Sequence, residues 1–153
     1  MAKAKEKPRF APADAAHDFY AWCFDQADFL RHRRFEDLDV PSLIEELESM
    51  GNEQRHALRS SYRLVIIHLL KWEFQPSRRT RSWAATITRE RINIEDRERA
   101  NKTLRNEALV IVDEAYRGAV LQAAKETGLP QSTFPAACPY SVDQLRDPEW
   151  MPD

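Results

Sequence analysis

The chain has 153 residues, of which 42% are hydrophobic and 31% are charged, and its net charge is −2. This size and balance predict one folded domain with a hydrophobic core and exclude a disordered chain. Three glycines are too few for a glycine-rich phosphate loop, and the two cysteines, Cys23 and Cys138, lie too far apart for metal-ligand spacing.

The N-terminal segment, MAKAKEKPRF, is basic and lacks the apolar stretch of an export signal. No apolar run long enough to cross a membrane follows it. We therefore expect a cytoplasmic protein with reduced cysteines and no membrane partner. Residues 1–12 are expected to form a flexible arm, and residues 13–153 a single helical domain.

The first two predicted helices cover residues 14–33 and 41–74. Apolar residues recur at helical spacing in both, and Asp14 is placed to cap the first. In the second, Pro41 suits the first helical turn, and Ser42 and Glu45 have the spacing of a capping box. Its predicted core-facing stripe comprises Leu43, Leu47, Met50, Gln54, Leu58, Ser61, Val65, Leu69 and Trp72.

Part of the long helix, from Leu64 to Leu70 (LVIIHLL), is apolar on nearly every side. Such a segment is either buried centrally or covered by a second subunit, so a homo-oligomer formed through it is one expectation. Gln54, Ser61 and His68 fall seven residues apart near the middle of the stripe. They form a candidate buried polar cluster, in which a hydrogen-bonded core histidine is favoured over a catalytic one.

Pro76 ends the long helix because the residue before a proline avoids helical geometry. Ser77 or Thr80 can cap a third helix, whose apolar face fades after Ile94. A fourth helix is predicted over residues 103–126, where Gly128 follows in the usual C-terminal position.

Residues 129–153 are punctuated by prolines, with one short helical turn at residues 141–146. They carry too many apolar side chains for a free tail. The predicted fold is therefore all-α: an antiparallel bundle of four main helices with the proline-rich C-terminal segment wrapped over it.

Charge is unevenly divided along the chain. Acids dominate residues 14–53, whereas arginine and lysine dominate residues 78–105. The division is typical either of a basic binding face or of acidic and basic helices that neutralise each other within one bundle. We favour the second interpretation.

The stretch LLKWEFQPSRRTRSW joins the second and third helices. Arginines beside aromatic rings at a helix N-terminus are typical of phosphate or base binding, and also of a turn held by arginine–tryptophan stacking. Because arginines there oppose the helix dipole, an acidic partner is expected nearby. The candidate interaction surface is Lys71, Arg78, Arg79, Arg81 and Arg89, and the structural hallmark residues are Trp72, Pro76 and Trp83.

Two partial metal-binding patterns are set aside. Glu53 and His56 have the Glu-x-x-His spacing of di-iron bundles, but there is one copy, and His56 lies about 200° from the core stripe. Glu45 and Glu48 resemble half of the Glu-x-x-Glu…Glu-x-x-Asp arrangement of all-α nucleotide pyrophosphatases, without the second half. We predict no catalytic residue, no metal and no cofactor.

Five motifs follow one another along nearly the whole chain. They are DFYAW (18–22), LIEELESMG (43–51), HLLKWEFQP (68–76), RSW (81–83) and TFPAACPYSVDQLRDPEWMP (133–152). Together they resemble a bacterial family catalogued as domain of unknown function number twenty-nine. The resemblance implies a cytoplasmic, all-helical bacterial protein and supplies no activity, substrate or catalytic residue.

Three functions follow as hypotheses. The leading one is a non-enzymatic protein-interaction or regulatory module that binds through the LVIIHLL face or the basic turn. The second is a small-ligand binder or enzyme in the bundle interior, which requires a cavity reaching His68. The third is nucleic-acid binding through the basic turn from Arg78 to Arg89, which the near-zero net charge disfavours.

Overall fold

The computed structural model describes residues 12–153, and within them the regular structure is all helical, with no strand. The prediction of an all-α fold is confirmed. The helices are α1 Phe19–Arg31, α2 Val40–Phe74, α3 Arg81–Ala100, α4 Lys102–Asn106, α5 Ala108–Thr127 and α6 Val142–Arg146. Short 3-10 turns lie at Phe35–Asp37, Pro76–Arg78 and Gln131–Thr133. The predicted N-terminal arm falls, apart from Pro12, outside the described residues.

The chain divides into two compact units, one ending at Met50 and one from Gly51 to Asp153. In the first unit, α1 begins later than predicted. Asp18 is its cap, since the Asp18 carboxylate accepts a hydrogen bond of 3.0 Å from the backbone N–H of Ala21. Asp14 instead closes a preceding turn by accepting from Ala16 at 2.8 Å. Both aspartates favour such local bonds, and the sequence pattern does not distinguish a turn from a cap.

The buried face of α1 consists of Trp22, Gln26 and Phe29. This face fixes the start of α2 through Asp39. The Trp22 indole N–H donates to the Asp39 carboxylate at 3.2 Å, and the Gln26 side-chain oxygen accepts from the Asp39 backbone at 2.8 Å. The same carboxylate accepts from the Ser42 backbone, so Asp39 takes the capping role predicted for Ser42, and this bonding lowers the pKa of Asp39.

The hydrophobic core of the second unit is built by α2 from Leu58 onward, α3, α5 and the C-terminal residues. The predicted stripe is buried at Leu58, Val65 and Leu69. The central core residues also include Tyr62, Ile66, Ile67, Leu70, Ile87, Ile94, Ile111, Val112, Ala119, Ala123, Phe134, Tyr140 and Leu145.

Five of the seven residues from Leu64 to Leu70 are buried centrally within one chain, whereas Leu64 and His68 are half-buried. Val65, Ile66, Ile67, Leu69 and Leu70 are each 0% exposed. A second subunit cannot reach these five side chains. The prediction of a homo-oligomer formed through this segment therefore has no support from them. The sequence left central burial open as an alternative, and a single chain achieves it.

The predicted fourth helix is interrupted at Glu107, which leaves α4 and α5 as separate helices. The Glu107 backbone N–H bonds to the carbonyls of Thr103 and Leu104, which tightens the last turn of α4 before α5 begins. The end of α5 matches its prediction, because Gly128 adopts the left-handed conformation with φ 75°. Among the described residues, no helix has the length and apolar character needed to cross a membrane.

Candidate functional site

Lys71 is a structural residue rather than part of an open basic surface. It is 8% exposed, and its ammonium donates a hydrogen bond of 2.6 Å to Glu126 on α5. The same ammonium lies 4.5 Å from the centre of the Trp83 ring on α3. Burial opposes ionisation of Glu126, but the hydrogen bonds from Lys71 and Gln122 outweigh it and lower the pKa of Glu126. Lys71 therefore joins three helices of the second unit.

Arg79 is occupied by contacts with the backbone of its own unit. Its guanidinium donates to the carbonyl of Trp72 at 3.0 Å and to the backbone oxygen of Asp153 at 2.7 Å. It also stacks 5.0 Å from the centre of the Trp72 ring. These contacts close the turn around Pro76, where the long helix ends.

The three other arginines of the basic turn, Arg78, Arg81 and Arg89, are exposed. Arg89 lies 3.0 Å from the carboxylate of its neighbour Glu90. Arg78 and Arg81 form no ion pair with any of the residues that the structure describes. Of the five predicted cations, only these two remain available as an unneutralised surface, and Arg81 stands in the first turn of α3.

The predicted cluster of Gln54, Ser61 and His68 does not form. Residues seven apart on a helix are separated by about 10 Å along its axis, and Gln54 is exposed. Ser61 is buried on α2. The Nδ1–H of half-buried His68 donates to the Leu64 carbonyl at 2.8 Å. Burial lowers the pKa of His68, which keeps the imidazole neutral at pH 7.

Five surface cavities formed by residues 12–153 have been located, and His68 lines none of them. The largest of these, an open groove of about 960 Å³, is lined by residues that include Tyr116, Phe134 and Cys138. Burial raises the pKa of the Cys138 thiol, so the groove does not present a thiolate. Within the described chain, no three His, Cys, Asp or Glu side chains are grouped to hold a metal ion.

Three charges on α3 are buried: Glu90, Arg91 and Glu98 are each at most 6% exposed. The sequence pattern placed Arg91 on the inward face of this helix, whereas Glu90 and Glu98 were not recognised. The Arg91 guanidinium donates to the carbonyls of Leu145, Gln144 and Pro148 at 3.1, 3.0 and 3.4 Å. A signal was present, because these charges share helical phase with the apolar face that includes Ile87 and Ile94. The charged run EDRERA around Glu98 made this helical pattern hard to recognise in the sequence.

The first unit has a surface of exposed apolar side chains, although the sequence pattern predicted that some of them would be buried. Leu47 is 66% exposed and Met50 61%, although both belong to the predicted buried stripe. Periodicity correctly placed them on one face, but residues 12–50 supply no layer that covers them. The exposed set in this unit, which we call the apolar surface, is Phe19, Tyr20, Phe24, Leu30, Phe35, Val40, Ile44, Leu47 and Met50.

Two parts of the apolar surface have a defined geometry. Tyr20 and Phe24, which are 74% and 61% exposed, contact each other with ring centres 4.8 Å apart on α1. On α2, Val40, Ile44 and Leu47 are spaced by four and three residues and therefore share a face. Side chains of this kind, with aromatic and aliphatic groups held on helices, are typical of protein-binding surfaces.

Comparison with known proteins identifies a family. No curated protein and no solved structure matches the chain. A family model described as "Domain of unknown function DUF29" matches residues 16–151, which is nearly the whole chain. The chain belongs to this family.

Proposed function

We propose that the protein is a non-enzymatic protein-interaction module that binds its partner through the apolar surface of the first unit. The observation that supports this function is the exposure of nine large hydrophobic side chains within residues 12–50. On α2, Val40, Ile44 and Leu47 share one face, and exposed apolar patches of this kind often mark protein-binding surfaces.

As the family resemblance implied, we place this interaction in the bacterial cytoplasm.

The two alternative functions have less support. A ligand site around His68 needs a cavity, and the imidazole instead bonds to its own helix. Nucleic-acid binding needs several free cations, whereas Lys71 and Arg79 are held in contacts within the second unit. No observation comparable to the apolar surface favours either function.

The predicted architecture beyond the all-α class also stays a proposal. We propose that residues 13–153 form one domain, an antiparallel bundle of four main helices crossed by residues 129–153. In the second unit, the bonds from Arg91 to the backbone of α6 and the edge-on contact of Phe74 with Phe134 support the course of the last segment.

The experiment that tests the function is affinity capture from the organism's own lysate with three tagged proteins. The first is wild type, and the second carries Tyr20→Ser with Leu47→Ser. The third is a matched control with Leu109→Ser and Leu121→Ser, two leucines of the second unit that are 64% and 46% exposed. All four positions are exposed, so each variant should fold as wild type does, which circular dichroism verifies.

We expect a specific partner to be captured by wild type and by the control pair, and to be lost from the Tyr20→Ser/Leu47→Ser variant. Capture of the same proteins by all three forms would contradict the proposal. Loss of the partner from the control pair alone would move the binding surface to the second unit.

A further inference from the structure

We propose that the partner docks on α2 as a basic amphipathic helix, an inference that rests on the proposed function and specifies the chemistry of its ligand. The docking site is the α2 stripe, which we define as Val40, Ile44, Leu47 and Met50, together with the glutamates at its edges. These four side chains are 49%, 51%, 66% and 61% exposed.

The α2 stripe has the width of a helix-binding seam. At about 100° per residue, its four side chains fall within an arc of about 120° on one side of α2. From Val40 to Met50 the stripe is about 15 Å long, which is close to three helical turns. A partner helix of similar length can lay its own apolar face along such a stripe.

Glutamates border the α2 stripe on both sides. By helical phase, Glu48 lies about 40° beyond Ile44 at one edge, and Glu46 lies about 40° beyond Met50 at the other. Glu45 adds a third carboxylate outside Glu48. Residues 35–54 contain seven acids and no Lys, Arg or His. In the described part of the chain, none of these three glutamates forms an ion pair. The complementary helix therefore carries lysine or arginine on both sides of its apolar face.

A second copy of this chain is a poor occupant for the same reason. In a two-fold symmetric pairing of the α2 stripe with itself, the glutamates of one copy would face those of the other. Like charges across a helix seam destabilise the pairing, and the sequence offers no base between residues 35 and 54 to relieve this.

The chain's own N-terminal segment has the required charge but lacks the apolar side chains. MAKAKEKPRFA has four bases, yet Met1 and Phe10 are its only large hydrophobic residues. Its sequence also contains a proline, Pro8, a residue type that disfavours helices. This segment cannot supply an apolar face that matches four stripe positions, so a helix of another protein fits the site better.

The test is direct binding of a probe peptide to the full-length protein, measured by fluorescence anisotropy at low and raised salt. The probe is a labelled peptide of about 18 residues, with leucines at positions i, i+3, i+4 and i+7 of each repeat and lysines elsewhere. One comparison peptide has the same composition in scrambled order, and a second carries glutamate in place of every lysine.

Four proteins are titrated: wild type, Leu47→Ser, the double variant Glu46→Gln/Glu48→Gln, and Leu121→Ser as the exposed-leucine control. We expect the probe to bind wild type about tenfold or more tightly than either comparison peptide. Leu47→Ser should weaken binding about tenfold. The double variant should weaken it about three- to tenfold and flatten its salt dependence. Leu121→Ser should bind the probe as wild type does.

Equal binding of the probe and the scrambled peptide, or no effect of the double variant, would overturn the inference. Deletion of residues 1–11 that strengthened probe binding tenfold or more would show that the chain's own segment occupies the stripe. Sedimentation of a wild-type dimer that Leu47→Ser dissociates would assign the stripe to a second copy. Either result would show that the α2 stripe binds something other than a helix of another protein.

Different results would contradict the proposed function and the proposed occupant of the α2 stripe. If the α2 stripe binds a protein of another chemistry, Leu47→Ser abolishes partner capture from lysate, but Glu46→Gln/Glu48→Gln leaves it unchanged. If the apolar surface binds no protein, Leu47→Ser changes neither capture from lysate nor binding of the probe.

Discussion

The phenolic hydroxyl of Tyr62 donates a hydrogen bond of 2.6 Å to a carboxylate oxygen of Glu98, and neither residue is more than 1% exposed. Arg146 of α6 donates to the same oxygen at 2.9 Å. Burial, assisted by the bond to Glu98, raises the pKa of Tyr62, so the phenol stays protonated and remains the donor. One carboxylate thereby connects α2, α3 and α6.

The first prediction concerns this carboxylate. Glu98→Gln keeps an acceptor for Tyr62 but removes the charge that compensates Arg146, whose side chain is 24% exposed. We expect a loss of about 2–3 kcal/mol in the free energy of unfolding, measured by urea denaturation. The control is Glu95→Gln on the same helix, where the exposed pair with Arg99 should contribute less than about 0.5 kcal/mol. Equal losses in both variants would contradict the buried role.

The second prediction concerns the C-terminal segment. Arg91→Lys leaves at least one of the three backbone carbonyls that Arg91 bonds without a donor, because an ammonium cannot reproduce the planar fork of a guanidinium. We expect a loss of about 2 kcal/mol in stability and faster proteolytic cleavage after Gly128. Arg89→Lys, at a side chain that is 64% exposed, should change neither. Unchanged proteolysis in Arg91→Lys would show that other contacts hold this segment.

The third prediction asks whether the basic turn serves a ligand. Arg81 stands in the first turn of α3, where a positive charge opposes the helix dipole. With no bound anion to balance it, Arg81→Glu should raise the free energy of unfolding by about 0.3–1 kcal/mol. Urea denaturation measures this change in purified protein. A loss of stability would instead reveal an acidic partner near Arg81.

The fourth prediction is a pH dependence that comes from His68. Its pKa is lowered from the usual 6.5, so below that pH the unfolded chain binds more protons than the folded chain. Stability should therefore fall as the pH drops from about 7 to 5. His68→Gln should reduce this slope, as measured by unfolding at several pH values. The same slope in the variant and in wild type would show that the imidazole does not contribute.

The fifth prediction compares two glycines. An added Cβ at Gly51, inside α2, meets no atom within 4 Å, whereas Gly128 has φ +75°. Gly51→Ala should stabilise the protein by about 1 kcal/mol, because alanine favours the helix. Gly128→Ala should destabilise it by about 1–2 kcal/mol, because a Cβ is strained in the left-handed conformation. Changes of the same sign at both positions would contradict this comparison.

The sequence predicted most of the helices because their signals are local. The long α2 helix, the Thr80 cap of α3, the Gly128 end of α5 and the short α6 helix all follow from residues within one or two turns. The start of α1 and the break at Glu107 were missed, since caps and turns use the same polar residues.

Burial was predicted less well because it depends on what covers a face. Leu47 and Leu69 belong to the same helical stripe, yet one is 66% exposed and the other 0%. Periodicity cannot distinguish them, because the covering residues come from distant parts of the chain. Likewise, Glu98 meets Tyr62 and Arg146, which are 36 and 48 residues away.

Some ion-pair partners of the arginines in residues 78–105 differ from those expected. We expected acids of another helix to neutralise these arginines. Arg99 pairs with Glu95 at 2.6 Å and Arg89 with Glu90 at 3.0 Å, so these acids come from α3 itself.

The contact of Lys71 with Glu126 and Trp83 carries an evolutionary consequence. Because the Lys71 side chain is 10% exposed and Glu126 accepts the hydrogen bond of its ammonium, neither charge can be replaced alone without leaving the other uncompensated. Positions 71 and 126, which are 55 residues apart, should therefore co-vary among homologues. Arg78 lies outside the shared motifs and has no such constraint, so this position should vary. Within one arginine-rich stretch, selection is expected to act on the residues that join the helices and to spare their exposed neighbours.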